Sequence, residues 1–396
     1  MVAACFQPDA LFRMRSVADP QIRPDGSVIA FTETRADVMD DASYSRVMIA
    51  RGGDVRPLHD DRVRERGARW SPDGRYLLYA SDRTGRSRWH LLDFEQGDER
   101  TLDHLPAGAS NLAFSPDGGR LAYFSFVEGA PAWDPPMPAK PTGAKWAPAP
   151  SVITTLRWAM DGSGVMRPGH AYLFVAPLDG GVPKQISRAP FWHTSYLGTP
   201  ELDWATDGKS VLAAAVTGPE GWAVYDQNTL WSFPVDGGEP RRMGEPKWHQ
   251  HRAAASPDGK HVAFVGFPWK GQSYHVGHLY LAGSTVRPMT ARFDYDVASP
   301  TWSADSRRIF FLADREGDTN LHQVDLAETV RALSSGRHRI VAYSIAADGS
   351  AAAIVSTAAR PGVLVRHRKR ITFTTDVCWL DGSCSSIRHG IVRASD

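Results

Sequence analysis

The chain has 396 residues, and its 45 Lys and Arg side chains nearly balance its 44 Asp and Glu side chains. A net charge this close to zero provides no field to hold a phosphate backbone or an anionic membrane surface, so nucleic acids and membranes are not expected as partners. The 35 glycines and 28 prolines exceed the ~12% that these residues make up in an average chain, which predicts many turns.

The cysteines and the first residues indicate the compartment. Cys5, Cys378 and Cys384 are too few and too far apart for a disulfide framework, and they form no zinc-binding pair. The opening MVAACFQPDALFRMR lacks the apolar run of a signal peptide, and no stretch of ~18 apolar residues occurs. We therefore expect a cytoplasmic protein, and we expect neither a cofactor nor a metal.

A turn phrase, Ser-Pro-Asp-Gly or a close variant, recurs along the chain and each time precedes an apolar strand. We call its aspartates the anchors: Asp25, Asp73, Asp117, Asp207, Asp258, Asp305 and Asp348. Consecutive anchors are 43 to 51 residues apart, except for one interval of 90. Ser, Pro and Gly suit the first, second and fourth positions of a type I turn, so the phrase reverses the chain between two strands.

Each repeat also contains two later strands. In the second repeat these are RWHLLDF and ERTLD, and in the fifth HLYLAGS and VRPMT. Units of about 45 residues with four short strands are typical of β-propellers. The sequence therefore predicts an all-β fold, a seven-bladed β-propeller of four-stranded antiparallel blades.

The doubled interval between anchors allows two interpretations. Asp161, in LRWAMDGSG, could be an eighth anchor, or residues 171–187 could supply the third and fourth strands of the third blade. The second interpretation makes the Pro-rich residues 127–169 an insertion in blade 3. The predicted organisation is then an N-terminal segment (1–16), the propeller (17–374) and a C-terminal tail (375–396).

All seven units have the same strand order, so no strand remains to be exchanged between the first and last blades. We predict that these two blades meet by side-chain packing alone. In particular, residues 1–16 are not expected to pair with the last blade.

The Ser-Pro-Asp-Gly repeats resemble the TolB-like module and the N-terminal propeller of serine peptidases of the prolyl oligopeptidase family. The insertion, with DPPMPAKP, GAKWAP and LRWAMDGSG, resembles that of the acylaminoacyl-peptidase and dipeptidyl-peptidase branch, as does the opening VADPQ. In that family the propeller covers an α/β-hydrolase domain and admits short peptides. The resemblance thus implies a substrate-gating propeller.

The catalytic half of the family pattern is missing. No G-x-S-x-G nucleophile elbow occurs in the chain, so we assign no catalytic residue and expect the chain alone to be inactive. Either the chain is a truncated or frameshifted peptidase, or it is a freestanding TolB-like propeller that acts as a protein-binding scaffold. The expected partners are short peptides or a protein, possibly a hydrolase domain.

Two groups of residues are candidates for contact with the channel or with a partner. His249 and His251 alternate on a strand that would be the innermost of blade 5, so both imidazoles share one face; without a third ligand, ordinary polar roles are favoured over a metal site. Trp70, Trp204 and Trp302 stand at one repeat position, which indicates packing between blades. The aromatic candidates for a partner are those outside this pattern: Trp133, Trp146, Trp158 and Trp192.

Overall fold

The computed structural model describes residues 12, 14–59, 62–130, 138–147, 153, 158–161, 164–193, 201–218, 227–271, 275–283, 285–357 and 360–366. These residues form β-strands, turns and loops, and no α-helix occurs among them. Within this part of the chain, no helix is long and apolar enough to cross a membrane.

The first three sheets are antiparallel and four-stranded, with the strands in the order named here. Sheet I consists of β1 (Arg15–Ile22), β2 (Val28–Asp37), β3 (Ala42–Arg51) and β4 (Asp54–Pro57). Sheet II consists of β5 (Arg66–Trp70), β6 (Tyr76–Ser81), β7 (Arg88–Asp93) and β8 (Glu99–Thr101). Sheet III consists of β9 (Ser110–Phe114), β10 (Arg120–Glu128), β13 (Gly169–Pro177) and β14 (Lys184–Gln185). Between β10 and β13 lies a separate hairpin of β11 (Ala159–Met160) and β12 (Gly164–Val165).

The later sheets repeat this pattern with two variations. In sheet IV the first position is divided between two short strands, β15 (Phe191–Trp192) and β16 (Leu202–Trp204). Both pair with β17 (Ser210–Thr217). β18 (Thr229–Pro234) and β19 (Arg241–Arg242) complete the sheet. Sheet V consists of β20 (Trp248–Ala255), β21 (Val262–Pro268), β22 (His278–Ala282) and β23 (Arg287–Pro288). Sheet VI consists of β24 (Val297–Trp302), β25 (Arg308–Arg315), β26 (Asp318–Asp325) and β27 (Val330–Ala332).

Three further strands follow sheet VI: β28 (Arg339–Ile345), β29 (Ala351–Thr357) and β30 (Arg360–Arg366). We call them the terminal sheet. It is antiparallel within itself and joins sheet VI through a single parallel bridge between Thr319 and Arg339. The segment RITFT (370–374), which follows the pattern of the short last strands of the repeats, and the whole predicted tail lie outside the described residues.

The anchor turns show why the repeated phrase folds as it does. In sheet II the Gly74 N–H donates to the Ser71 carbonyl at 2.8 Å, and Gly74 has a φ of +72° that favours glycine. The Ser71 hydroxyl donates to Asp73 at 2.6 Å and accepts the Tyr76 N–H at 2.8 Å. The Ser71 hydrogen bond holds the pKa of Asp73 below its usual value. Each anchor thus closes its own turn.

The core lies between the sheets rather than at one centre. The middle strands are buried on both faces, so that Leu77 and Tyr79 of β6 pack toward sheet I while Leu78 and Ala80 pack toward sheet III. Similar apolar clusters join every further pair of consecutive sheets. One more cluster packs the terminal sheet against sheet I.

The contact between sheet I and the terminal sheet bears on the predicted absence of a strand exchange. Arg15 and Ser16 pair with β2 rather than with the terminal sheet, while residues 1–11 and 13 lie outside the described residues. This contact also contains hydrogen bonds that the prediction did not include. The Ile22 N–H donates to the Ser344 hydroxyl at 2.9 Å, and the Ala347 N–H donates to the Pro24 carbonyl at 3.1 Å.

The long insertion leaves and re-enters sheet III at one point. β10 and β13 pair continuously from Arg120 with Pro177 to Glu128 with Gly169, so the chain between them is an excursion from the end of an intact hairpin. Asp161 lies in the two-stranded hairpin of β11 and β12, which is not part of a four-stranded sheet. Among the described residues between β10 and β13, this hairpin is the only sheet.

Candidate functional site

The first strands of the sheets, which we call the inner strands, share an irregularity. The register of β1, β5, β9, β20 and β24 against the second strand shifts near the middle of each pairing. At each shift one residue has a left-handed φ between +53° and +66°: Asp19, Gly67, Asn111, Arg252 and Ser299. Non-glycine residues seldom adopt this conformation. Bulges of this kind redirect side chains and are common beside functional sites.

Three of these bulge residues, Asn111, Arg252 and Ser299, line a cavity of about 580 Å³. Inner-strand residues of all six numbered sheets line it, including Arg69, Asn111, Arg252 and Ser299. Glu201, directly before β16, also belongs to the lining. The lining also includes residues of two anchor turns, among them Pro24, Ser71 and Pro72, so the cavity extends to the end of the sheets that carries those turns. A cavity of this size is within the range of small-ligand sites.

Arg69, which lines the cavity, forms an ion pair between sheets I and II. Arg69 Nη1 lies 2.7 Å from Asp19 Oδ2, and the Gln21 side-chain amide donates to the other Asp19 oxygen at 2.9 Å. The side chains of Arg69 and Asp19 are 36% and 30% exposed. The pair is therefore only partly buried.

A second ion pair joins sheets IV and V. Arg252 Nη1 lies 3.0 Å from Glu201 Oε1 and 3.4 Å from the Ser299 hydroxyl on sheet VI. Burial raises the pKa of Glu201, and the Arg252 charge only partly opposes this effect. The side chains of Arg252 and Glu201 are nevertheless 40% and 33% exposed.

A third carboxylate lies next to this pair. Asp203 accepts the backbone N–H of Ala255 across the sheet boundary and that of Trp204, both at 2.8 Å. Burial raises the pKa of Asp203 to about 6 in spite of these two hydrogen bonds. Asp203 thus links sheets IV and V through the backbone.

The two histidines predicted to share a face of the inner strand do so. The ring centroids of His249 and His251 are 4.9 Å apart on β20, and His249 stacks on Phe267. Burial, aided by the neighbouring charges of His249 and Arg252, lowers the pKa of His251 to about 3, so its imidazole is neutral at physiological pH. Among the described residues, no group of three His, Cys, Asp or Glu side chains could hold a metal ion.

The repeated tryptophans have the packing role predicted for them. Trp70, Trp204 and Trp302 each donate the indole N–H to a backbone carbonyl on the inner strand of the preceding sheet. The distances are 3.0, 3.1 and 2.9 Å, to Gln21, Ala113 and Ala254. These side chains fasten consecutive sheets together.

The other candidate tryptophans differ in their surroundings. Trp146 and Trp158 of the insertion are 45% and 51% exposed, and Ile153, Val165 and Met166 add further exposed apolar surface. Trp192 is only 8% exposed; it donates its indole N–H to the Gly218 carbonyl at 2.7 Å and packs on His170. Trp133 lies outside the described residues.

The charged residues of the cavity were not among the predicted site residues. A signal for them exists in the repeat, because Asp19, Asn111, Glu201, Arg252 and Ser299 each stand six residues before an anchor aspartate. Gly67 occupies the same position in the second repeat. An alignment of the repeats on their anchors would have found this polar position.

The anchor turns of neighbouring sheets meet at one end of the molecule. Arg23 donates to the Gly74 carbonyl and Arg120 to the Gly208 carbonyl, both at 2.8 Å, and Arg366 donates to the Gly26 carbonyl. In an antiparallel sheet, the start of the first strand and the connection between the second and third strands lie at the opposite end. The start of β1 and the insertion therefore share the end away from the anchor turns.

No family model matches the chain, but individual proteins do. The "Uncharacterized peptidase YuxL" of Bacillus subtilis is 29% identical over 201 residues, which cover 50% of this chain and 30% of that protein. "Dipeptidyl-peptidase 5" of Porphyromonas gingivalis is 21% identical over 362 residues, which cover 86% of this chain and 51% of that protein. The chain spans about half or less of the length of these curated relatives.

Solved structures with the same architecture include an uncomplexed acylaminoacyl peptidase of Pyrococcus horikoshii, with a TM-score of 0.69 and 17% identity over 90% of this chain and 52% of that one. The β-propeller domain of the Trilobed protease from Pyrococcus furiosus, described as having an open velcro topology, has a TM-score of 0.61 and 15% identity over 91% of this chain and 96% of that one. At this level of identity the similarity establishes the fold, a β-propeller.

Proposed function

The homologues of this chain are peptidases of the prolyl oligopeptidase family, and from that premise we propose that the chain is the propeller part of such a serine peptidase. In this role it covers an α/β-hydrolase domain that belongs to sequence outside these 396 residues, and it restricts which peptides reach the catalytic serine. The observation that carries the proposal is the cavity framed by the inner strands of six sheets. A passage through the propeller would use this space.

We further propose that the propeller has seven blades. Sheets I to VI supply six, and the terminal sheet supplies the seventh, with its outer strand at RITFT. Two observations support this count. The apolar clusters continue from sheet to sheet and then from the terminal sheet to sheet I. In addition, the contact of Arg366 with Gly26 repeats the contacts of Arg23 with Gly74 and of Arg120 with Gly208.

The ring would close without an exchanged strand, as in the open velcro topology described for the P. furiosus propeller. The boundary between sheet I and the terminal sheet is made of side-chain packing and a few hydrogen bonds. Such a boundary can separate without breaking a strand ladder. A side opening there would be a second route for peptides.

The hydrolase domain is expected at the end of the propeller that carries the start of β1 and the insertion. A domain joined to the ends of the propeller would lie there, next to the exposed Trp146 and Trp158. Aromatic side chains are favoured in protein interfaces because they bury a large area at little entropic cost. Peptides would enter from the opposite end, where the cavity meets the anchor turns.

The test begins with the DNA downstream of codon 396, read in all three frames. The proposal expects a G-x-S-x-G motif followed by an aspartate and a histidine. The longer product should cleave a short peptide but not the same bond within a folded protein. A variant with residues 130–168 replaced by a short Gly-Ser linker should cleave more slowly or lose size selection. Absence of any such reading frame would contradict the proposal.

A second function is favoured by the insertion alone. Its exposed apolar side chains would also suit a freestanding propeller that binds a separate protein partner. Capture experiments with the chain and with the variant lacking residues 130–168 discriminate between the two. A single stoichiometric partner without a hydrolase fold, lost in the variant, would favour the scaffold.

A further inference from the structure

Where the structure describes both residues of an aspartate-glycine pair, the pair occurs in two kinds of turn. Six of the anchor turns contain it. It also occurs between the third and fourth strands of sheets III and IV, as Asp179-Gly180 and Asp236-Gly237. In such a pair the glycine amide nitrogen can attack the aspartate side-chain carboxyl, because glycine has no side chain to obstruct the approach. The hydrogen bonds of these two groups therefore decide how reactive each pair is.

The anchor turns hold both groups away from this reaction. In sheet II the Gly74 N–H donates to the Ser71 carbonyl at 2.8 Å, while Asp73 accepts the Arg75 N–H at 3.0 Å. The same two hydrogen bonds recur at the other five pairs, at 2.8–3.0 Å for the glycine and 2.8–3.1 Å for the aspartate. The hydrogen bond from the Ser71 hydroxyl also holds the pKa of Asp73 below its usual value. An ionised carboxylate has no hydroxyl to lose, so the anchor aspartates are kept in their unreactive form.

The two pairs outside the anchors lie in turns of the sequence Asp-Gly-Gly, which we call the Asp-Gly-Gly turns. Asp179 and Asp236 are exposed, and neither carboxylate has a hydrogen-bond or ion-pair partner among the described residues. All four glycines of these turns have a positive φ, between +99° and +122°. A Cβ placed at Gly180 would meet no atom within 4 Å. The aspartate side chains of these turns are thus unrestrained.

The glycine nitrogen distinguishes the two Asp-Gly-Gly turns from each other. The Gly237 N–H donates to the Pro234 carbonyl at 3.3 Å, which is longer than an ordinary hydrogen bond. The Gly180 N–H has no acceptor within the part of the chain that the structure describes. Of the described pairs, only Asp179-Gly180 therefore leaves both the nitrogen and the carboxyl without a partner.

We propose that Asp179 is a site of spontaneous isoaspartate formation in the folded protein, and that the anchor turns protect their own aspartates from the same reaction. The Gly180 nitrogen bonds to the side-chain carboxyl carbon of Asp179, and the carboxyl hydroxyl leaves with the amide proton as water, which closes a succinimide ring. Water then adds to the ring carbonyl that belonged to the main chain and breaks its bond to the nitrogen. The chain now continues through the Asp179 side chain, is one carbon longer, and carries a free main-chain carboxylate. The reaction is independent of the proposed function.

The additional carbon enters the chain directly before the edge strand of sheet III. The chain on the near side is fixed, because the Leu178 N–H donates to the Gly119 carbonyl at 2.9 Å and the Leu178 carbonyl accepts Arg100 at 2.8 Å. On the far side β14 pairs with β13 through only two residues, Lys184 and Gln185. The new carboxylate is the group that protein isoaspartyl methyltransferases esterify with S-adenosylmethionine. We therefore expect the aged chain to accept methyl groups from an enzyme of this class.

The experiment is incubation of the folded 396-residue chain for several weeks at physiological temperature and pH. Tryptic digestion and electron-transfer fragmentation in a mass spectrometer then locate isoaspartate at individual positions. Asp179 should accumulate severalfold more of it than Asp236 and at least tenfold more than Asp73. An aliquot kept unfolded in guanidinium chloride is the reference, since without the turns the three positions should react at similar rates. The proposal is overturned if the folded chain forms equal amounts at Asp179 and Asp73, or none at Asp179 while the unfolded reference forms it.

Variants separate the reactive group from the protecting turn. Asp179→Glu cannot readily close the five-membered ring, so it should lower methyl acceptance by the aged chain severalfold and leave isoaspartate at Asp236 unchanged. Ser71→Ala removes the hydroxyl that donates to Asp73 at 2.6 Å and should raise isoaspartate at Asp73 severalfold. If Ser71→Ala unfolds, Ser115→Ala makes the same change in the anchor turn of sheet III. Unchanged isoaspartate at the anchor of a folded variant would refute the protection, and unchanged methyl acceptance by Asp179→Glu would refute the site.

Discussion

Replacing Trp204 by Phe tests the role that the structure gives to the repeated tryptophans. Trp204 is 3% exposed and packs in the apolar cluster between sheets III and IV. Its indole N–H donates to the Ala113 carbonyl of the preceding inner strand at 3.1 Å. The phenyl ring keeps an aromatic face beneath Arg120, which lies 5.3 Å from the indole centroid. The substitution thus removes mainly the N–H and the outer ring atoms.

The expected cost follows from these two losses. A buried carbonyl left without its donor costs about 1–3 kcal/mol, and the space vacated by the smaller ring adds about 1 kcal/mol. Trp204→Phe should therefore lower the free energy of unfolding by about 2–4 kcal/mol, and Trp302→Phe, with the equivalent hydrogen bond to Ala254, by a similar amount.

The assay is urea unfolding followed by far-ultraviolet circular dichroism, because tryptophan fluorescence changes with the substitution itself. The control is Trp158→Phe, which alters a 51% exposed side chain of the insertion and should change stability by less than about 0.5 kcal/mol. The reasoning is refuted if Trp204→Phe costs less than about 0.5 kcal/mol, or no more than the control.

Three further predictions concern other parts of the fold. Glu65 and Glu99 raise the pKa of His59 from 6.5 to about 9. Charged His59 therefore contributes stability that is complete below pH 6.5 and is lost as the pH rises through 9. The urea midpoint of His59→Gln should lack this decline with pH, and a pH profile parallel to that of the unchanged chain would contradict the assignment. Gly26→Ala should destabilise the chain more than Gly85→Ala. Both glycines have a positive φ, but only a Cβ at Gly26 would meet a neighbour, the Ser350 hydroxyl at 2.6 Å. Equal thermal midpoints for the two variants would contradict this prediction and show that the boundary between sheet I and the terminal sheet adapts. Replacing residues 130–168 by a short linker should leave the circular dichroism spectrum and thermal midpoint nearly unchanged, since β10 and β13 pair along their whole length without the insertion; unfolding of this variant would mean that the insertion is part of the core.

The repeat and its turns could be predicted from the sequence because their chemistry is local. The hydrogen bonds of Ser71 and Gly74 in the anchor turn involve residues at most five positions apart, so the phrase itself encodes the geometry. The apolar strand after each anchor then follows from composition and period. The packing of Trp204 was also predictable, because recurrence at one repeat position is a signal even without a structure.

The cavity could not be predicted in the same way because its contacts are long-range. Arg69 and Asp19 are 50 positions apart, and so are close only when sheets I and II are neighbours. A left-handed aspartate or arginine has no local signature comparable to that of glycine in a turn, and only the alignment of the repeats on their anchors marks its position. Trp192 shows the same difficulty, since its indole N–H bonds to the carbonyl of Gly218, 26 positions away.

The most direct test of the central claim is the intact mass of the native product purified from the organism that encodes this chain. The account predicts a polypeptide substantially longer than 396 residues, with a serine-hydrolase domain that reacts with an active-site fluorophosphonate probe. A native product that ends at residue 396, does not react with the probe and associates with no hydrolase would contradict it.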